Sequence, residues 1–144
     1  MSLDGFIAGP KGEYDWIIMD PTIDFTALFK EFDIALMGRK TFEMAQQGPG
    51  ATMPGVKTIV CSRSLRAGDF PDVTITADAL GTVAGLKCKS GKDIWLFGGG
   101  TLFRSLLDPR LVDTIEVSVM PILLSQGIPC IASRAAFSSI TPHQ

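Results

Sequence analysis

The sequence predicts an α/β fold: a mainly parallel sheet flanked by helices on both faces. Three observations carry this expectation. Short apolar, often β-branched runs alternate along the chain with segments whose apolar residues recur at helical spacing, and strands separated by helices require crossover connections. Several of those runs end on glycine or on small polar residues, the punctuation expected where a buried strand leaves a sheet. The composition agrees, since 46% hydrophobic and 19% charged residues over 144 positions suit one well-buried domain rather than a disordered chain.

Each element follows from local pattern. Met1 to Pro10 reads as the end of a strand passing into a glycine-punctuated loop, with almost no chain ahead of it, so a truncated first strand is expected. Residues 11–21 form a polar loop carrying Glu13, Asp15 and Trp16. Phe25, Leu28, Phe29 and Phe32 fall at helical spacing after Asp20-Pro21-Thr22, which predicts a helix over Asp24 to Phe32. Ile34 to Met37 is a short strand closed by Gly38, and Arg39 to Met44 suits a first helical turn. Gln46 to Gly55 is rich in Gly and Pro and predicts a loop. Val56 to Cys61 is a β-branched strand ending in Ser62-Arg63-Ser64, Val73 to Ile75 another strand, and Asp78 to Leu86 a helix weakened by Gly81. Ile94 to Phe97 is a buried strand that runs through Gly98-Gly99-Gly100 into a helix carrying Leu102, Phe103, Leu106 and Leu107, stopped by Pro109. Leu111 to Met120 alternates, with Ile115, Val117 and Val119 on one face, and predicts a strand; Pro121 to Pro129 predicts a loop. Beyond Ala132 no strong pattern remains, so the expectation is a single domain over 1–144 with its first strand truncated.

Bulk properties exclude several function classes. A formal charge of −2 gives no general attraction to polyanions, so nucleic acid is not an expected partner and any anion site must be local. Cys61, Cys88 and Cys130 are odd in number and widely spaced, which argues against a disulfide framework or a zinc site and points to a reducing cytoplasm. Cys61 sits in an apolar strand and reads as a small core residue. His143, the only histidine, stands beside the C-terminus and is given no catalytic or metal role. No apolar run approaches the ~20 residues that span a bilayer, so no membrane association is expected. No Ser/His/Asp or Cys/His set is available, which disfavours hydrolysis.

The glycine run draws attention first. Without Cβ atoms at 98 to 100 a ligand can approach the backbone, and the free N–H groups opening the next helix favour an anion such as a pyrophosphate. Plain turn chemistry remains the alternative. Arg39 and Lys40 stand where the helix dipole disfavours cations, which is better explained if an anion shares the site. Arg63, with hydroxyls at Ser62 and Ser64, can join them around a further phosphate, an arrangement suited to the 2′-phosphate of NADP; solvated surface charge is the competing reading.

Met37 to Glu43, Val60 to Ser64 and Trp95 to Leu102, in this order and spacing, resemble the dihydrofolate reductase fold. Ser2 to Ala8, Pro121 to Leu124 and Gly127 to Pro129 narrow the resemblance to stand-alone relatives of the riboflavin-biosynthesis reductase domain, over about residues 1–131. The resemblance implies a three-layer dihydrofolate reductase-like fold with a mixed, mainly parallel sheet flanked by helices, and by comparison with it a final C-terminal hairpin after Ala132 is truncated. It also implies an oxidoreductase, commonly a homodimer, that transfers hydride from NADPH to a small heterocyclic or carbonyl substrate. It places Gly38, Arg39, Lys40 and Thr41 on the cofactor phosphates, Ser62 and Arg63 near the 2′-phosphate, and Gly98, Gly99, Gly100, Thr101 and Leu102 along the pyrophosphate, with a cis peptide joining Gly98 and Gly99. Ser2 and Asp4 correspond to the nicotinamide and substrate pocket. Asp4 is the first candidate for orienting substrate or relaying a proton, with turn capping before Gly5 as the alternative. Asp24 is the second, with helix capping as its alternative, and Trp16 either walls the pocket or fills the core. The Asp-Pro-x-Leu-Thr-type ribose-phosphate segment of the riboflavin enzyme has no counterpart in Gln46 to Gly50, so the substrate stays open. True dihydrofolate reduction and NADPH binding without turnover are the alternative functions.

Overall fold

The computed structural model describes residues 1–48 and 53–132. Part of the Gln46 to Gly55 loop and the stretch after Ala132 therefore lie outside the described residues. In chain order the elements are β1 (Phe6–Ala8), α1 (Phe25–Phe29), β2 (Phe32–Gly38), α2 (Arg39–Ala45), β3 (Lys57–Cys61), β4 (Thr74–Thr76), α3 (Ala79–Lys87), β5 (Asp93–Gly98), α4 (Gly100–Leu107) and β6 (Ile128–Pro129), with a 3₁₀ turn at Ala67–Asp69. Four strands form a parallel sheet ordered β4-β3-β2-β5, and β1 pairs antiparallel with β6 in a separate two-stranded ribbon.

Burial explains why β2 is central. Ala35, Leu36 and Met37 are all buried, the continuous apolar run expected of a strand covered on both faces. Side chains alternate across the sheet, so Ala35 and Met37 join one cluster with Phe42, Met53, Val56 and Val60, while Leu36 joins the opposite one with Ile59, Val83, Leu102 and Leu106. Helix α2 therefore covers one face, and α3 and α4 cover the other. Trp95 extends the first cluster, stacking on Phe32 at a centroid distance of 5.2 Å and meeting Phe97 edge-on at 5.2 Å.

Helices α1 and α3 begin where an aspartate side chain caps them. Asp24 accepts from the Ala27 amide at 3.0 Å and Asp78 from the Gly81 amide at 2.9 Å. Gly81 lowers the helix propensity of α3, yet a Cβ there would stand 2.1 Å from Asp78 Oδ2, so the same glycine makes room for the cap.

Three expectations are corrected. The first helix stops at Phe29, and Phe32 opens β2 instead, packing on Trp95 from a strand. Leu111 to Met120 does not form a strand: among the described residues its only ladder contact is the parallel bridge between Ser2 and Met120, flanked by the bond from the Met120 amide to the Met1 carbonyl. Alternation supplied an apolar face there, but a strand also needs neighbouring backbone to bond. The Pro121 to Pro129 stretch, expected to be loop throughout, contains β6; its proline is tolerated because the ribbon leaves an open edge.

The ribbon and its loop are held by close backbone approach and by Asp4. A Cβ at Gly127 would lie 2.2 Å from the Ala8 carbonyl oxygen, so only glycine lets β1 and β6 meet. Asp4 accepts from the Leu124 amide at 3.2 Å and the Ser125 amide at 2.7 Å, joining the N-terminal turn to the loop before β6. The Ser2 hydroxyl, then those two amides, hold the Asp4 carboxyl below its usual range.

Gly127→Ala should destabilise the chain by about 1–3 kcal/mol, the cost of overpacking, seen as a lower denaturation midpoint. A lowered carboxyl pKa stabilises the fold above the ordinary value of 3.8, and that contribution is lost as pH falls through the folded value. Asp4→Asn should therefore melt below the wild type at neutral pH, with the difference closing in acid; a gap that persists unchanged to strongly acidic pH would contradict the staple.

Candidate functional site

Register brings three strand ends to one level. Cys61 pairs with Gly38, and Gly98 pairs with Met37, so β3, β2 and β5 stop side by side. Neighbouring strands lie about 4.8 Å apart, which sets Ser62-Arg63-Ser64, Arg39-Lys40-Thr41 and Gly99-Gly100-Thr101 along a rim roughly 10 Å wide. This is the carboxyl edge of a parallel sheet, where ligands of such folds gather.

The glycine turn forms the β5 side of the rim. The Gly98–Gly99 peptide is cis, and Gly98 has φ 135°, which side chains rarely adopt. Gly99 precedes α4 in extended conformation with no side-chain cap, so the amides opening that helix are not spoken for by a capping residue. A Cβ at Gly99 would come within 3.1 Å of Thr41 Oγ1, and one at Gly38 would stand 3.9 Å from the Gly98 carbonyl oxygen, so the start of α2 lies directly against the turn. Gly100 is a glycine for a further reason, because a methyl there would meet the Pro129 and Cys130 carbonyl oxygens at 2.8 and 2.9 Å.

Cations and hydroxyls complete the rim. Arg39 Nη1 donates to both Glu43 carboxylate oxygens at 2.8 Å. Ser62 Oγ accepts from the Ser64 amide at 3.2 Å and the Leu65 amide at 3.1 Å, folding the turn that presents Arg63 to solvent. Lys40 is exposed as well. Burial raises the Cys61 thiol to about 11, which keeps it neutral at ordinary pH and removes it as a nucleophile. Among the described residues no group of three or more His, Cys, Asp or Glu stands together, and no helix is long and apolar enough to cross a membrane.

Gly38 to Thr41, Ser62, Arg63 and Gly98 to Leu102 all line one open groove of about 2460 Å³. Its extent, continuing past the β5 edge, exceeds the ~1,000 Å³ upper range of small-molecule pockets. The other sequence candidates stand elsewhere. Ser2 is fully buried, with its hydroxyl accepting from the Phe6 amide at 2.9 Å. Asp4 is tied to the loop amides, Asp24 caps α1, and the Trp16 indole donates to the Glu13 carbonyl at 3.1 Å. None of these four lines the groove. Glu43 was not singled out from sequence; its spacing of four residues from Arg39 on one helix is the signal that finds it.

Comparison with known proteins agrees with the fold. The family model described as RibD C-terminal domain matches residues 1–139. Two Bacillus subtilis (strain 168) relatives are similar: the uncharacterized protein YyaP, 37% identical over 90% of this chain and 75% of its own length, and the uncharacterized protein YwjB, 28% identical over 90% and 77%. A Shewanella sp. PV-4 crystal structure attributed to riboflavin biosynthesis superposes with a TM-score of 0.78 at 26% identity, covering 96% of this chain and 83% of that one. The Thermotoga maritima diaminohydroxyphosphoribosylaminopyrimidine deaminase/5-amino-6-(5-phosphoribosylamino)uracil reductase shares the fold, with a TM-score of 0.62 at 15% identity; the match covers 98% of this chain and 48% of that one. With nearly its whole length matched, this chain belongs to the RibD C-terminal domain family.

Proposed function

We propose that the chain is a reductase that uses NADPH to reduce a small heterocyclic or carbonyl substrate, a pyrimidine like that of the Thermotoga enzyme being the first to try. The observation that carries this reading is the level ending of β3, β2 and β5, which gathers a glycine turn and the Arg39, Lys40 and Arg63 side chains on one rim. Family membership supports a reductase-like role.

The residues present fit a phosphorylated dinucleotide. The amides that open α4, which no side chain caps, can donate to a pyrophosphate. Arg63, presented by the Ser62 turn, and Arg39 and Lys40, one strand away, bracket a further phosphate at the distance between adjacent strands. The cofactor supplies the hydride. The chain's own task is to hold the reacting rings in line. Asp4 is held by the Ser2 hydroxyl and the loop amides away from the groove, so it is not the proton donor, and the open groove leaves the proton to solvent.

A dinucleotide-binding module without turnover is the second reading, favoured by the structural employment of Ser2, Asp4, Asp24 and Trp16. NADPH consumption with any member of a panel of pterins, flavins and pyrimidines would sink it. Assembly as a cytoplasmic homodimer belongs to the primary reading. Arg63→Ala should weaken NADPH binding about tenfold, the scale of a hydrogen bond to a charged group, and leave NADH nearly unchanged. Fluorescence titration with both nucleotides checks this, and equal loss for the two contradicts the 2′-phosphate assignment.

A further inference from the structure

Arg39 opens α2 and Glu43 stands four residues on, so their side chains share one helical face. Their contact is one-sided, because Nη1 alone serves both carboxylate oxygens at 2.8 Å. Both side chains keep about two-fifths of their surface, 41% for Arg39 and 43% for Glu43, and an ion pair so exposed is weakly held. Within the three rim segments from Gly38 to Glu43, Ser62 to Ser64 and Gly98 to Leu102, Glu43 is the single acid among several cations.

Resting on the reductase reading above, we infer that Glu43 tunes cofactor preference: its carboxylate competes with the ribose phosphate of NADPH for Arg39. A phosphomonoester carries close to two negative charges at neutral pH against one for a carboxylate, so the phosphate wins the shared guanidinium. A bare ribose hydroxyl does not, and the ion pair stays closed against NADH. Once displaced, Glu43 remains beside the incoming phosphate as a like charge. It therefore lowers NADPH affinity without touching that for NADH. Glu43 acts through Arg39 and meets no reacting atom.

The test is a set of dissociation constants for NADPH and NADH, measured by fluorescence titration on the wild type, Glu43→Gln and Glu43→Ala. NADPH should bind roughly two- to fivefold more tightly to both variants, the range that exposed ion pairs span, while NADH is unchanged. Glu43→Gln keeps the side chain's length and Glu43→Ala removes it, so agreement between them separates charge from packing. A wild type that prefers NADPH, with no tightening in either folded variant, overturns this inference and leaves the reductase reading intact. Equal affinity of the wild type for the two nucleotides overturns both.

Discussion

The register of three parallel strands is the constraint on which the rest depends. Ala35 and Met37 must face one cluster and Leu36 the other, and a slip of one residue would exchange them. Core burial therefore dictates where Cys61, Gly38 and Gly98 end, and with them the segments that follow. The rim needs no dedicated scaffold, because the packing that stabilises β2 also aligns it.

The local charge pattern is separate from the net charge. The chain is slightly acidic as a whole, yet Arg39, Lys40 and Arg63 converge within two strands of each other. An anion is thus attracted at short range, and screening by salt acts on exposed groups such as Lys40 and Arg63 more than on anything buried. Glu43, paired with Arg39, offsets part of that attraction.

How far the sequence could be read depended on whether a signal was local. The β2, β3 and β5 runs, the glycine turn and the α2 and α4 starts each carry their pattern within a few residues, and all were legible to within a residue or two. The short ribbon was not, since Ile128 and Pro129 become a strand only because Phe6 and Ala8 arrive from the other end of the chain. Leu111 to Met120 failed for the opposite reason, having the right alternation and too little backbone beside it. Among site residues, the rim was readable because its motifs sit at strand ends. Ser2, Asp4, Asp24 and Trp16 were harder, because residue type does not reveal whether a polar atom already has a partner nearby.

Backbone contacts tie the rim to the ribbon of β1 and β6. The Pro129 and Cys130 carbonyls fill the space beside Gly100, and the Ala132 amide reaches the Gly100 carbonyl at 3.5 Å, so the first turn of α4 leans on the end of β6. Because coupling free energies are reciprocal, a ligand that steadies that turn must also disfavour the open form of the ribbon, and fraying of β1 must weaken the ligand's binding by the same free energy. Exchange of the Cys130 amide, which donates to the Gly5 carbonyl at 2.9 Å across the ribbon, thereby becomes a gauge of occupancy at the rim.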